Sequence, residues 1–285
     1  MPAGSYRFRV GSIGCTVLCD GYFSYPGQWF FPNAEPERLA GALAERRLSA
    51  DHVVSPFACL LVETGRHVML VDTGAGESLS TTGAIRARLE MEGIRPKDVD
   101  TVLLTHAHPD HVGGATDLRG RSAFPNARYV LAEAEWEFWN SPRTNLDGLR
   151  LPDEVKIGIL RTAKESLHAI RHQVEPIDGE TEVVPGVRAL PARGHTPGHL
   201  ALQVSSDDCA LLHIADAALH PLHLEEPGWE NGFDLDAAAA LATRRDLAQR
   251  AAAEGMHVMA FHFPFPSVGT LAATPEGGWK WSPGW

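Results

Sequence analysis

Thr105-His106-Ala107-His108-Pro109-Asp110-His111-Val112-Gly113-Gly114 is the stretch whose reading decides the rest of this chain. It carries three histidines and one aspartate within the six positions from His106 to His111. The residues before it, Thr101-Val102-Leu103-Leu104, are β-branched and apolar and read as a buried strand. Two glycines end it. The cluster therefore falls where a strand stops and the chain turns, which is where open α/β sheets place their chemistry. Imidazoles and carboxylates packed this densely need a cation to offset their desolvation, and histidine is the commonest catalytic zinc ligand. The competing reading is a solvated polar turn.

The pattern His106-x-His108-x-Asp110-His111 resembles the signature of the metallo-β-lactamase superfamily. The resemblance implies three further ligands at the ends of later strands, and candidates stand in the right order. His195 lies in Gly194-His195-Thr196-Pro197-Gly198-His199, after the apolar run Val187 to Leu190. Asp216 follows Ala210-Leu211-Leu212-His213-Ile214-Ala215, and His262 follows His257-Val258-Met259-Ala260-Phe261. The resemblance spans residues 57 to 265. It implies that His106, His108 and His195 hold a first metal ion, that Asp110, His111 and His262 hold a second, and that Asp216 bridges the two together with a hydroxide. Two divalent ions about 3.5–4 Å apart would make a nucleophile by lowering the pKa of coordinated water from about 15.7 to about 7. Zinc is the expected ion for these donors; manganese, iron and cobalt suit the same residue types. The resemblance also implies that Asp110 is catalytic, as a proton shuttle to the leaving group. Asp72, in Asp72-Thr73-Gly74, and His199 are implied to orient ligands rather than to bind metal.

The bulk numbers bound the function. A chain of 285 residues suffices for one large α/β domain or two small ones, and 44% hydrophobic residues allow a sizeable core. Lysine and arginine number 25 against 36 acids, a net charge of −11, which argues against a general nucleic-acid surface. Cys15, Cys19, Cys59 and Cys209 form no C-x-x-C pair, and three of them lie in apolar runs as buried free thiols. Tyr6-Arg7-Phe8-Arg9-Val10 offers no apolar signal-peptide core, and no stretch approaches a membrane span. The expectation is a cytoplasmic protein with a small-molecule substrate and no nucleic-acid or membrane partner. A homodimer stays open.

Strands are expected at 6–10, 13–19, 57–62, 67–71, 126–131, 181–190, 200–205, 209–215 and 257–261. Helical patterns cover 78–92, 132–140, 153–172 and 234–254. The last has Asp234 or Asp236 as N-cap and Gly255 as its stop. The β-rich stretches 6–104 and 181–261 suit the two halves of an αββα sandwich. The chain is read as a single α/β domain over 1–285, with a helical insertion at about 132–175. Residues 21–36, rich in aromatics, glycine and proline, read as neither regular strand nor helix: a core-packed loop or an apolar flap over the site. The tail, 272–285, shows no periodicity.

The expected chemistry is hydrolysis of ester-type bonds in lactones, carboxylic esters or phosphotriesters. A diiron redox relative would carry glutamate in place of His108. Mononuclear iron persulfide dioxygenases share the Gly-His-Thr-Pro-Gly-His string and stay an alternative. Glyoxalase-II-like thioesterases usually bear a basic C-terminal patch, whereas residues 263–285 hold only Lys280. The non-enzyme alternative is a metal-binding regulatory module; the filled ligand positions weigh against it. Phe261-His262-Phe263-Pro264-Phe265-Pro266 and Phe233-Asp234-x-Asp236 resemble the methyl parathion hydrolase-like branch. Compact acyl-homoserine lactonases tend to carry a tyrosine where this chain has Leu219. Tyr22, Phe23, Trp29, Phe30, His220, Phe263 and Phe265 are the candidates for an apolar substrate pocket, although His220 and His223 read more readily as surface histidines.

Overall fold

The computed structural model describes residues 4–275 and 277–285. Its first sheet takes β1 (Ser5–Val10), β2 (Ile13–Tyr25), β3 (Val53–Glu63), β4 (Val68–Val71), β5 (Thr101–Leu103), β6 (Arg128–Ala132) and β7 (Val174–Ile177), side by side in chain order. The second takes β8 (Thr181–Val184), β9 (Val187–Pro191), β10 (Leu200–Ser206), β11 (Cys209–His213), β12 (His257–Met259), β13 (Val268–Ala273) and β14 (Trp279–Pro283), again in chain order. Strands β4 to β7 run parallel, as do β11 and β12.

Alternation along the strands fills three layers. In β3, Ala58, Leu60 and Val62 face the second sheet, where they meet Leu200, Leu202 and Val204 of β10. Phe57, Cys59 and Leu61 point the other way, against helices. Both faces of β3 are covered, so it reads as one unbroken apolar run. The first sheet's outer face is packed by α3 (Ile85–Met91), α5 (Glu133–Asn140) and α6 (Asp153–Ile170), and the second's by α8 (Ala237–Ala253). This is the αββα sandwich of an α/β fold. Cys15, Cys19 and Cys59 are buried and free, Cys209 is exposed, and no helix among the described residues is long and apolar enough to cross a membrane.

Three segments depart from expectation. Residues 21–36 are not irregular: β2 runs on to Tyr25 past a bulge between Cys19 and Gly21, and α1 (Gly27–Phe30) and α2 (Pro36–Ala44) follow. Pairing with β3 as far as Tyr25↔Val53 supplies the ladder that local propensity withheld. Helix α2 had a signal, Pro36 at its first turn behind Glu35, whose carboxylate accepts from the Arg38 amide at 2.9 Å. The tail is not without regular structure: β13 (Val268–Ala273) and β14 (Trp279–Pro283) pair antiparallel, with Leu271 opposite Trp281. Of 78–92, only Ile85–Met91 is α-helical.

Candidate metal centre

Both sheets deliver side chains at one end of the sandwich. Asp72 follows β4, His106 to His111 follow β5, His195 lies between β9 and β10, Asp216 follows β11 and His262 follows β12. The two sheets are stitched here by Leu200 N–H to Thr105 O at 2.9 Å and Ala58 N–H to Phe261 O at 3.0 Å. Gly113 and Gly114 let the histidine loop press against the turn after β4. A Cβ on Gly113 would strike the Ala75 carbonyl oxygen, and one on Gly114 that of Thr73.

Asp216 Oδ2 is the hub. It lies 3.2 Å from His111 Nε2, 3.2 Å from His262 Nε2, 3.4 Å from His195 Nε2 and 3.8 Å from His106 Nε2. His195 Nε2 is 2.9 Å from His108 Nδ1, and His262 Nε2 is 3.3 Å from Asp110 Oδ2. Three overlapping groups could each hold a metal ion: His106, His108 and His195; His106, His111 and Asp216; Asp110, His111 and His262. The donor set fits such ions, because His106 Nε2, His111 Nε2 and Asp216 Oδ1 are buried without a hydrogen-bond partner.

Three rings are aimed by their far nitrogens. His111 Nδ1 meets Asp72 Oδ2 at 2.8 Å, His195 Nδ1 meets Asp234 Oδ1 at 2.8 Å, and His262 Nδ1 meets Ser55 Oγ at 2.8 Å. This directs those three Nε2 atoms inward, whereas His108 turns its Nδ1 to the centre. Asp72 also accepts from the Thr105 amide at 2.8 Å. His199 stands behind the centre, with Nδ1 on the Ala192 carbonyl at 2.8 Å and Nε2 accepting the Asp216 amide at 3.1 Å. Asp236, not Asp234, caps α8, which leaves Asp234 free to hold His195. Sequence reading missed Glu135 of α5. It is fully buried and accepts from the Ala107 amide at 2.9 Å, Trp139 Nε1 at 2.6 Å, Thr196 Oγ1 at 2.6 Å and the Gly198 amide at 3.0 Å. One carboxylate thus ties the loop of His106 and His108 to the loop of His195.

Burial, then neighbouring imidazoles, hold His106 and His108 well below the usual imidazole range, so their lone pairs stay free to bind. Burial opposes charge on His111 and His262 too. Asp216 and Asp110, with Asp72 beside His111, outweigh it and lift both rings, His262 to about 9. The carboxylates call for positive charge, and among the described residues no lysine or arginine lines the cavity above them.

That cavity, of about 360 Å³, has Asp110, His108, His195, Asp216 and His262 at its floor. Phe23, Trp29 and Phe30 line it, together with Tyr25, Leu219 and Phe233, and α6 closes the far side through Val155, Ile159 and Thr162. The other pocket candidates lie elsewhere. Tyr22 points out of the sheet and is 38% exposed. Phe263 is buried against Trp281, and Phe265 packs on the core between the sheets. His220 is neither in the cavity nor on the surface: it is buried against Phe31, with Nδ1 accepting the Leu222 amide at 3.2 Å. His223 is buried too, its Nε2 bonded to the Phe30 carbonyl at 2.9 Å. Both histidines pin the aromatic segment to the loop after Asp216.

Burial, then the Arg46 charge, pushes His220 down to about 3. Its unfolded value is about 6.5, so the unfolded chain binds the extra proton between those limits. The stability it contributes is fully present above pH 6.5 and is lost as pH falls towards 3, at up to about 1.4 kcal/mol per pH unit. Urea unfolding at pH 6.5 and 5.0 is expected to show a smaller acid loss in His220→Asn, by about 1–2 kcal/mol. An equal loss in both proteins would show that His220 titrates normally.

The sequence profile of the metallo-beta-lactamase superfamily matches residues 56–254. The chain belongs to that superfamily and is a metal-dependent hydrolase. It is similar to the N-acyl homoserine lactonase of Bacillus cereus, 27% identical over 204 residues that cover 64% of this chain and 72% of the relative. Among solved structures it is similar to AidC, a dizinc quorum-quenching lactonase in complex with an N-hexanoyl-L-homoserine product. The TM-score is 0.92 at 26% identity, covering 99% of this chain and 98% of that one. It is also similar to the hydrolase AbOPH, with a TM-score of 0.88 at 27% identity over 100% and 99% of the two chains.

Proposed function

We propose that the centre binds two divalent ions, zinc by preference, and hydrolyses the ring ester of N-acyl homoserine lactones. His106, His108 and His195 would hold one ion, Asp110, His111 and His262 the other, with the Asp216 carboxylate standing between the two sets. The observation that carries this reading is the single oxygen, Asp216 Oδ2, set among four imidazole nitrogens at 3.2–3.8 Å beneath an apolar cavity. When bound, the ions supply a hydroxide nucleophile near neutral pH and positive charge for the oxygen that becomes negative. The chain's own residues do the rest. Trp29, Phe30 and Phe233 exclude water and seat an acyl chain, and Asp72, Asp234 and Ser55 fix the ring directions. Asp110, still partly open to the cavity, takes up the proton of the attacking hydroxyl and relays it to the departing oxygen. The likeness to AidC over the whole chain supports the lactone. Leu219 does not weigh against it, since a carbonyl can be polarised from elsewhere in the cavity.

Neutral aryl esters and phosphotriesters are a second reading, favoured by a cavity that has no cation to clamp an anion. One experiment separates these. Elemental analysis is expected to give close to two ions per chain. Turnover is expected to be highest on N-hexanoyl-L-homoserine lactone in a panel with aryl ester, phosphotriester, thioester and persulfide. Labelled water should leave one solvent oxygen in the product. One ion at saturation, or oxygen uptake that tracks product formation, would move the assignment to a mononuclear dioxygenase.

A further inference from the structure

We propose that Tyr25 is a catalytic residue of this centre, its phenol donating a hydrogen bond to the substrate's carbonyl oxygen as that oxygen becomes negative. The proposal rests on the ester-hydrolysis reading above. Tyr25 is the last residue of β2, paired with Val53. Its ring is held edge-on by Phe23 at 4.8 Å and Phe233 at 5.6 Å, and tilted against Phe30 at 5.0 Å. So held, Tyr25 lines the same cavity as Asp110, Asp216 and His262.

An enclosed tyrosine ordinarily finds a partner for its hydroxyl. This one has none among the described residues, yet Tyr25 keeps partial exposure through the cavity. A ligand group completes the bond. Burial, then the charges of Asp110 and Asp216, push the phenol well above its usual range, so it stays a neutral donor. Among the other lining groups, Leu219, Phe57 and Ile159 have no donor, and Ser78 spends its hydroxyl on the Ala75 carbonyl at 2.8 Å; Trp29 and Thr162 carry the remaining side-chain N–H and O–H groups of the wall.

In the step, hydroxide adds to the carbonyl carbon and the π pair moves onto the carbonyl oxygen. Tyr25 steadies that oxygen and keeps its own proton. When the pair returns, the ring C–O bond breaks; the proton of the added hydroxyl passes through the Asp110 carboxylate to the departing oxygen, which leaves a carboxylate and a free hydroxyl on the opened product.

Tyr25→Phe removes only the hydroxyl. With metal content and circular dichroism unchanged, kcat on N-hexanoyl-L-homoserine lactone is expected to fall roughly a hundredfold while KM moves little, as for loss of one preorganised oxyanion donor. Substituting 3-fluorotyrosine, which keeps the hydroxyl, should retain kcat. Wild-type kcat in Tyr25→Phe overturns the proposal, as does an equal loss in the fluorotyrosine protein, which would trace the effect to ring packing. A wild-type enzyme inert towards the lactone overturns the lactone reading instead. The same variants are then compared on whichever ester the panel shows to be turned over.

Discussion

Replacing Asp216 with alanine is expected to empty the centre of metal and to lower kcat/KM by at least roughly a thousandfold, about 4 kcal/mol of transition-state stabilisation. The magnitude follows from position. Asp216 Oδ2 lies within 4 Å of imidazole nitrogens from His106, His111, His195 and His262. Without its charge, His106 and His195 lose their carboxylate neighbour at Nε2, and His111 and His262 keep that of Asp110. The fold should survive, because the Asp216 side chain makes no contact that the sheets depend on; its amide, held by His199, remains. Asp216→Asn separates charge from shape. It keeps an acceptor of the same size, so it should recover the fold fully and the metal only in part. Elemental analysis and circular dichroism measured together test this. A variant that still holds two ions and a tenth of the activity would mean that Asp216 is not the bridge.

The side chains that converge at the centre were legible in the sequence because metal coordination restricts residue type, and because the ends of β5, β11 and β12 come straight after apolar runs. The walls of the cavity were legible only in part, and the reason is register. Once residues 21–25 are read as irregular, the two-residue alternation of a strand is lost, and with it the knowledge of which side chains share a face. In the structure β2 continues, so Phe23 and Tyr25 fall together on the cavity side and Tyr22 faces outward. Tyr22 was therefore singled out and Tyr25 passed over. Phe263 and Phe265 were misplaced for a related cause. They flank His262 in sequence, but the turn after β12 sends Phe263 to Trp281 and Phe265 to the core between the sheets. Glu135 gave no local signal. A glutamate in the first turn of a helix ordinarily answers the helix dipole at the surface. Its actual partners come from residues 107, 139, 196 and 198, which only the assembled fold brings together.

That assembly makes Glu135 the residue whose loss should cost the most stability. Glu135→Ala leaves four donors buried without an acceptor: the amides of Ala107 and Gly198, the Trp139 indole N–H and the Thr196 hydroxyl. Each stranded donor costs about 1–3 kcal/mol, although a cavity of this size admits water that recovers part of it. A net loss of about 3–5 kcal/mol is expected, the usual range when one partner of a buried charged network is removed. Burial pushes the Glu135 carboxyl above its usual range while the four donors pull it back, so the charge is tolerated only while they are present. Glu135→Gln should be far milder, and the pattern says how. The new amide nitrogen would sit best towards Thr196, whose hydroxyl can turn to accept, leaving the Gly198 amide as the single unmatched donor. Both variants retain every proposed metal ligand, so their effect on activity must pass through the loops of His106, His108 and His195. Thermal unfolding and metal titration of the two variants, side by side, measure it. Should Glu135→Ala unfold at the wild-type temperature with wild-type metal affinity, the two loops would have to be held by the sheets alone.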